Sequence, residues 1–338
     1  MAMFDKLLAN LKASRKTIVL TEGTDARVLE AAAKLLAEDL MDVVLCGNVD
    51  EVKAAAAAGN FNVDKATVLD PLTYPEMDAM VAEMAALRKG KMTEEECRAA
   101  LSKSNYFGTM LVKMGKADGL LGGATYSTAD TVRPALQIIK TKKGSNLVSS
   151  SFILFREKDG VEEKISMGDC AINLGYTDRK DKEGNVVLTA AQQLAEVAVE
   201  TARTAAFFGI DPKVAVLSFS TYGSGKGGTV QLSHDAVIEA RKIDPELTID
   251  GEFQFDAAVS AEVAKTKCPD SKVAGQANTF IFPLIEAGNI GYKIAQRLGG
   301  YAAYGPILQG LNAPINDLSR GCNAEEVYAM AIITAGMA

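Results

Sequence analysis

The chain reads as an α/β protein of two α/β domains, each a mainly parallel sheet covered by helices, and three observations predict this. Short apolar runs alternate with amphipathic stretches along its length, the rhythm of βα repetition. Its 338 residues exceed the ~250–300 at which one hydrophobic core stops growing. A charged, glycine-containing break at Lys140–Asn146 parts the first series of repeats from the second.

In the first series Thr17–Leu20, Val43–Cys46 and Gly119–Leu121 read as strands, and Ala26–Glu38, Glu51–Ala58 and Thr128–Lys140 as the helices that follow them. The alanine run Ala54–Ala58 is good helix former, not low complexity. Beyond the break lies the apolar run Leu147–Phe155, and then Val214–Ser218, Leu247–Ile249 and Thr279–Phe282, each followed by a helical pattern. Gly175–Asn185 is densely charged and aperiodic, which predicts a solvated loop. The turn-rich segment Gly305–Gly321 precedes a last helix from about Ala324.

Composition excludes several functions. A net charge of −7 gives no basic footprint for nucleic acid. No apolar run approaches the ~20 residues of a membrane span, and Met1–Lys12 lacks the apolar core of a signal peptide, so a cytoplasmic chain with no membrane partner is expected. The five cysteines, Cys46, Cys97, Cys170, Cys268 and Cys322, form no CxxC and read as reduced thiols. His234 is the sole histidine, in a polar stretch resembling the first turn of a surface helix. Unless it serves itself, Ser-His-Asp and Cys-His catalysis are excluded, along with a His-rich metal centre. The chemistry is left to carboxylates, arginines and hydroxyls.

Three clusters could carry it. Gly223–Gly228 satisfies G-x-G-x-x-G after a strand, with Asp250 ending the next strand, a dinucleotide fingerprint if taken literally. Three residues intervene before its first glycine and Lys226 sits within the turn, which suits a flexible glycine loop as well. In Gly122–Pro134 a strand ends in glycines and hydroxyls before a helix, so amides and the Ser127 and Thr128 hydroxyls can cradle an anion, with Arg133 reaching back from the second turn. An ordinary N-cap at Ser127 or Thr128 is the alternative. In Gly305–Cys322 the turn formers Gly305, Pro306, Gly310 and Pro314 shape a loop presenting Ser319 and Arg320, and Glu325 and Glu326 open the following helix at its positive end. For Glu325 the capping and dipole role is preferred.

Gly305–Cys322 resembles the C-terminal signature of the phosphate acetyltransferases (phosphotransacetylases). The similarity continues into Ala331–Ala335 and, in order, through Arg88–Thr93, Ser127–Lys140, Asp169–Asn173, Ile249–Ala258 and Phe280–Lys293. The resemblance implies two α/β domains with an active-site cleft between them: a discontinuous domain of residues 1–144 plus 304–338 carrying the Ser-Arg loop, and a second of 145–303. It implies a homodimer and the reversible conversion of acetyl-CoA and phosphate into acetyl phosphate and CoA. No metal and no cofactor is expected, CoA being a substrate. By position, Ser319 and Arg320 match the family's Ser-Arg pair, Arg133 and Arg88 its further arginines, and Glu326 its catalytic carboxylate. Cys170 matches a cysteine that is not held to be the nucleophile.

The departures are Glu326 where Asp is commoner, Tyr126 where histidine is common, Leu284 for a frequent Asp, and an enlarged Gly175–Asn185 loop. The phosphate butyryltransferases share a stretch like Glu286–Asn289, and with a nicotinamide-dependent dehydrogenase built on Gly223–Gly228 they form the alternatives. The expected mechanism is direct thiolate attack in a ternary complex. Since a thiol of pKa ~8.5 is only a few per cent ionised at neutral pH, Glu326 is read as its base. Arg320 stabilises the carbonyl oxyanion, Ser319 donates a hydrogen bond, and Arg88, Arg133, Ser127 and Thr128 bind substrate.

Overall fold

The computed structural model describes residues 2–338, with Ala2, Met3, Asp5 and Lys6 described by their backbone alone. In chain order the elements are α1 (Ala2–Ala13), β1 (Thr17–Leu20), α2 (Ala26–Ala37), β2 (Asp42–Cys46), α3 (Val49–Ala58), β3 (Thr67–Leu69), α4 (Met77–Arg88), α5 (Glu94–Leu101), α6 (Ser104–Lys113), β4 (Gly119–Gly122) and α7 (Thr128–Pro134). Then come β5 (Ser149–Lys158), β6 (Val161–Gly168), β7 (Arg179–Lys180), β8 (Val186–Leu188), α8 (Ala190–Phe207), β9 (Val214–Leu217), α9 (Val230–Ile243), β10 (Ile249–Phe253), α10 (Phe255–Val259) and α11 (Ala261–Lys267). The chain ends with β11 (Thr279–Ile281), α12 (Ile285–Arg297), β12 (Ala302–Gln309), β13 (Ile315–Asp317) and α13 (Ala324–Gly336). The described residues form two compact units, one running to Lys143 and resuming at Leu311–Ala338, the other Gly144–Gly310.

The first unit is built on a five-stranded sheet in the order β13-β4-β1-β2-β3, with every neighbouring pair parallel. Parallel strands are buried on both faces, which is why β1, β2 and β4 are near-continuous apolar runs; Ile18, Val19 and Leu20 are all fully buried. Because the strands are parallel, all five release their chains at one edge, and β1 continues to β2 on one side while β4 lies on the other. That reversal is the switch point where loops of such a sheet part and ligands bind. α7 passes directly into a π-helical turn, Ala135–Ile139, closed by Lys140 N–H to the Ala135 carbonyl at 2.9 Å, so the helix expected over Thr128–Lys140 changes pitch after Pro134.

The second unit holds a six-stranded sheet in the order β10-β9-β11-β6-β5-β12. β10, β9, β11 and β6 are parallel, whereas β5 runs antiparallel to both β6 and β12. The β5–β6 hairpin turns at Asp159-Gly160, both with positive φ, as a two-residue turn of the primed type demands. The strand Ala302–Gln309 lies wholly in this unit because it pairs with β5, and the chain crosses back at Leu311. α8, capped by a Thr189–Gln192 capping box, is buried along most of its length.

Gly175–Asn185, expected to be an irregular loop, belongs in part to a small hairpin of β7 and β8. Asp181 holds its turn by accepting from Glu183 N at 3.0 Å and Asn185 N at 2.8 Å. Charge density there marks a solvated hairpin tip, and two short strands leave no periodicity to read. Among the described residues no helix is long and apolar enough to cross a membrane.

Candidate active site

At the switch edge of the first unit, β1 runs into Thr21-Glu22 and β4 into Gly122-Gly123. A Cβ on Gly122 would lie 2.1 Å from both the Thr21 and Tyr126 hydroxyl oxygens, and one on Gly123 (φ +108°) would lie 2.4 Å from Asp317 Oδ1. The two glycines therefore make room for two polar groups, the Thr21–Tyr126 hydroxyl pair at 2.8 Å and the Asp317 carboxylate. Glu22 accepts from Gly123 N, Thr125 N and the Thr125 and Thr21 hydroxyls. Burial raises its pKa, and these hydrogen bonds oppose the rise.

The start of α7 meets the end of β13 on the same edge. Ser127 occupies the N-cap position with an extended backbone but makes no side-chain cap; its hydroxyl donates to Asp130 Oδ2 at 2.6 Å. Thr128 donates to Asp317 Oδ2 at 2.6 Å and Thr131 to Oδ1 at 2.5 Å. Asp317 is wholly buried. Burial first, with the charge of Glu22, pushes its carboxyl up to about 6 against the pull of the two threonines.

The loop after β13 carries Ser319, whose hydroxyl accepts from Gly321 N at 3.2 Å, and the exposed Arg320. Its backbone is held by Arg27, just past the N-cap of α2. One Arg27 nitrogen donates to the carbonyls of Arg320 (2.9 Å) and Cys322 (3.1 Å), and another to the Ala124 carbonyl (2.9 Å). Asp25 orients the guanidinium in a forked pair at 2.8 and 3.0 Å. Arg27 thus ties the Ser-Arg loop to the loop leading into α7. Burial raises the Cys322 thiol to about 11, with Arg27 opposing. At the start of α13, Asn323 and Glu326 form a capping box, in which Glu326 Oε2 accepts from Asn323 N at 3.1 Å. Glu325 pairs with Lys34 at 3.0 Å.

Arg88 ends α4 and Arg133 is exposed on α7, and the charges of both act on the Tyr106 phenol, which burial raises and they lower. Arg88 Nε is buried with no hydrogen-bond partner, and no ion pair engages either guanidinium among the described residues. An orphaned donor costs roughly 1–3 kcal/mol, and an anion between the two arginines would recover it. A cavity of about 640 Å³ is bordered by the carboxylates Glu22, Asp25, Glu51 and Asp130, with Lys103 as its one cationic side chain.

The sequence motifs of the second unit are spent internally. In the glycine loop, Gly223 N donates to Glu252 Oε1 (2.7 Å) and Gly225 N to Ser220 Oγ (2.9 Å), while Asp250 accepts from Tyr222 and Ser271 at 2.6 Å each. Neither those amides nor that carboxylate is offered to a dinucleotide. Within Asp169–Asn173, Asp169 accepts from the amides of Ala171, Ile172 and Asn173 and knots its own turn. Cys170 is fully buried, and burial raises its thiol well above the ordinary value. His234 is exposed on α9, just past its first turn, 3.5 Å from Glu252.

Sequence reasoning missed Arg27, Asp317, Glu22 and Tyr106. Asp317 stood within the Ser-Arg signature but its threonine partners are 186 and 189 positions away. For Arg27 the available signal was the Asp25-Ala26-Arg27 start of α2 immediately after a parallel strand.

A family model described as Phosphate acetyl/butaryl transferase matches residues 2–335. The phosphate acetyltransferase of Bacillus subtilis strain 168 is 52% identical over 321 residues, covering 95% of this chain and 94% of that protein. That of Staphylococcus aureus strain MRSA252 is 48% identical, covering 99% and 98%. The crystal structure of a phosphotransacetylase from Streptococcus pyogenes superposes with a TM-score of 0.89 at 49% identity, covering 99% of this chain and 97% of that one.

Proposed function

The chain belongs to the phosphate acetyl/butaryl transferase family, and from that premise we propose that it moves an acetyl group reversibly between acetyl-CoA and inorganic phosphate, giving acetyl phosphate and CoA. The observation that carries the reading is the pairing of two arginines without counter-ions, Arg88 with its orphaned Nε and Arg133 on α7, beside one phenol. Forked guanidinium groups suit a phosphate dianion, each charge-assisted contact contributing roughly 1.5–3 kcal/mol. Thr128, on the same short helix as Arg133, and Ser127 at its head are the further substrate contacts proposed.

In the proposed reaction the CoA thiolate attacks the acetyl carbon, the carbonyl oxygen takes up negative charge, and phosphate leaves as the thioester forms. Arg320 stabilises that oxygen, Ser319 donates a hydrogen bond to it, and Glu326 accepts the thiol proton. Direct transfer is favoured over an acyl-cysteine by the thiols themselves. Cys170 is sealed and Cys322 holds its proton to about 11, so neither supplies thiolate at neutral pH. A second copy of the chain is the proposed partner. Exposed Ile290 and Ile294 on α12, with Leu298 just past its end, give it an apolar face, and light scattering on the purified chain tests this with a dimer mass.

The decisive assay incubates the protein with acetyl phosphate and CoA and follows thioester absorbance. Turnover without a nicotinamide cofactor is expected, with acetyl phosphate used faster than butyryl phosphate. Binding of CoA without turnover would reject the assignment, and rapid-quench trapping of acetyl-Cys170 would replace the ternary-complex mechanism.

A further inference from the structure

A threonine hydroxyl has one proton to give, and Thr128 gives it to Asp317 Oδ2 at 2.6 Å. Bound this way, Thr128 presents only lone pairs on its other side, and lone pairs repel phosphate oxygens. Asp317 has no exposed surface on which bulk water stands in for that hydrogen bond. The carboxylate is wholly buried, opposite Gly122 in the β13–β4 register, in space that the missing Cβ of Gly123 leaves open. The titratable groups that face it are Glu22 beyond β1 and Tyr126 ahead of α7. From α7 itself it meets Thr128 and Thr131, from β4 the two glycines, and α13 meets β13 through Thr334 on Asn316. No ion pair engages Asp317 among the described residues.

We infer that Asp317 is a positioning residue that decides which way the Thr128 hydroxyl points. Ionised Asp317 draws the Thr128 proton to itself; protonated Asp317 donates from its own O–H to Thr128 Oγ1 and turns the threonine proton outward, to a phosphate oxygen of the acyl phosphate. One proton is taken from solvent, one hydroxyl rotates, and no other bond is made or broken. The inference rests on the reading of Thr128 as a substrate contact. Because the carboxyl holds its proton to about 6, the change falls in a range where an enzyme assay can follow it. Glu22 next to it shifts the midpoint of the change, as neighbouring carboxylates do.

The test is KM for acetyl phosphate between pH 5 and pH 8 in wild type, Asp317→Asn, Thr128→Ala and Glu22→Gln, with KM expressed at each pH for the acetyl phosphate dianion so that the substrate's own ionisation is removed. In wild type KM is expected to rise about tenfold, the effect of one charge-assisted hydrogen bond, with kcat following less. Asp317→Asn, whose amide donates to Thr128 at every pH, should stay at the low value. Thr128→Ala should stay at the high value, because it removes the hydroxyl whose direction is being read, although it also takes one of the two threonine donors from the carboxyl. Glu22→Gln should move the midpoint down and keep the rise. Retention of the wild-type rise by Asp317→Asn, or by Thr128→Ala, overturns the inference, as does an active wild type with no rise. A wild type without turnover from acetyl phosphate and CoA instead overturns the proposed function on which this rests.

Discussion

Arg27 donates a 2.9 Å hydrogen bond to the carbonyl of Arg320, 293 positions away in the chain. With its bonds to the Cys322 and Ala124 carbonyls and its fork on Asp25, it sets where the Ser-Arg loop stands relative to the start of α7. Lysine keeps the charge but offers no planar fork. Arg27→Lys is expected to lower kcat about 10²-fold through misplacement of the loop. Stability should change little, since the Arg27–Asp25 pair is partly exposed and such pairs contribute ~0–1 kcal/mol. Steady-state rates and a thermal melt on one preparation check this, and unchanged kcat would remove Arg27 from any positioning role.

Gly123→Ala is the second prediction. Its φ of +108° costs an L-residue about 1–2 kcal/mol, and its Cβ would press on Asp317 Oδ1 at 2.4 Å and on the Leu318 backbone at 2.9 Å, adding roughly 1–3 kcal/mol of overpacking. Gly90, at φ +79° with nothing within 4 Å of its Cβ position, is the control that carries backbone strain alone. Denaturant midpoints should separate the two, with Gly123→Ala much the worse; equal losses would mean that the Asp317 pocket yields.

What the sequence made legible was what periodicity and local chemistry encode. The buried parallel strands β1, β2, β4, β9 and β11 stand out as apolar runs because both their faces are covered, and Ser319, Arg320 and Glu326 stand out because loop and helix start are contiguous. β5 and β6 were harder to read because an antiparallel pair depends on its partner; only the Asp159-Gly160 turn signals the hairpin. Asp317 looked like one more residue of a signature run. Its role comes from burial against threonines on another element, and no spacing rule reports that.

Arg88 and Arg320 should fail differently. Arg88→Met is expected to raise KM for acetyl phosphate with a smaller loss of kcat, because a ground-state phosphate contact is removed, while Arg320→Ala should lose mainly kcat. Stability gives an independent readout. Arg88→Met eliminates a buried Nε without a partner, so the melting temperature should hold or rise, the trade expected of a functional strain. A normal KM in Arg88→Met would end its assignment to phosphate.

The elevated Asp317 carboxyl also predicts a pH dependence of stability. A group whose pKa rises on folding binds its proton more tightly in the native state. Its contribution is therefore complete below the unfolded value of about 4 and is lost as pH climbs through about 6. The size is roughly 3 kcal/mol at ~1.36 kcal/mol per pH unit, and Glu22, also raised by burial, acts in the same direction. Urea midpoints at pH 5 and pH 7.5 should fall apart for wild type and draw together in Asp317→Asn. An identical pH difference in both proteins would assign the titration elsewhere.

Glu326 is the assignment with most at stake, because its carboxylate also closes the N-terminal capping box of α13: Oε2 accepts from Asn323 N at 3.1 Å while Asn323 Oδ1 accepts from Glu326 N at 2.8 Å. Two substitutions separate cap from base. Glutamine keeps an acceptor oxygen that serves the box as well as glutamate does, but it cannot take a proton; alanine loses both functions. If Glu326 is the base, Glu326→Gln should lower kcat by roughly 10²–10⁴, at a stability cost no larger than the ~0.3–1 kcal/mol of a charge at a helix start. Glu326→Ala should match that rate and lose about a further 0.5–2 kcal/mol of stability with the cap. The rate defect should shrink toward high pH, where CoA with its thiol pKa of ~8.5 ionises unaided. Glu325→Gln, which removes only the exposed pair with Lys34, is the matched control and should keep near wild-type kcat. A Glu326→Gln enzyme as fast as wild type, beside a Glu326→Ala enzyme that is merely less stable, would make this carboxylate a helix cap and send the search for the base to another group.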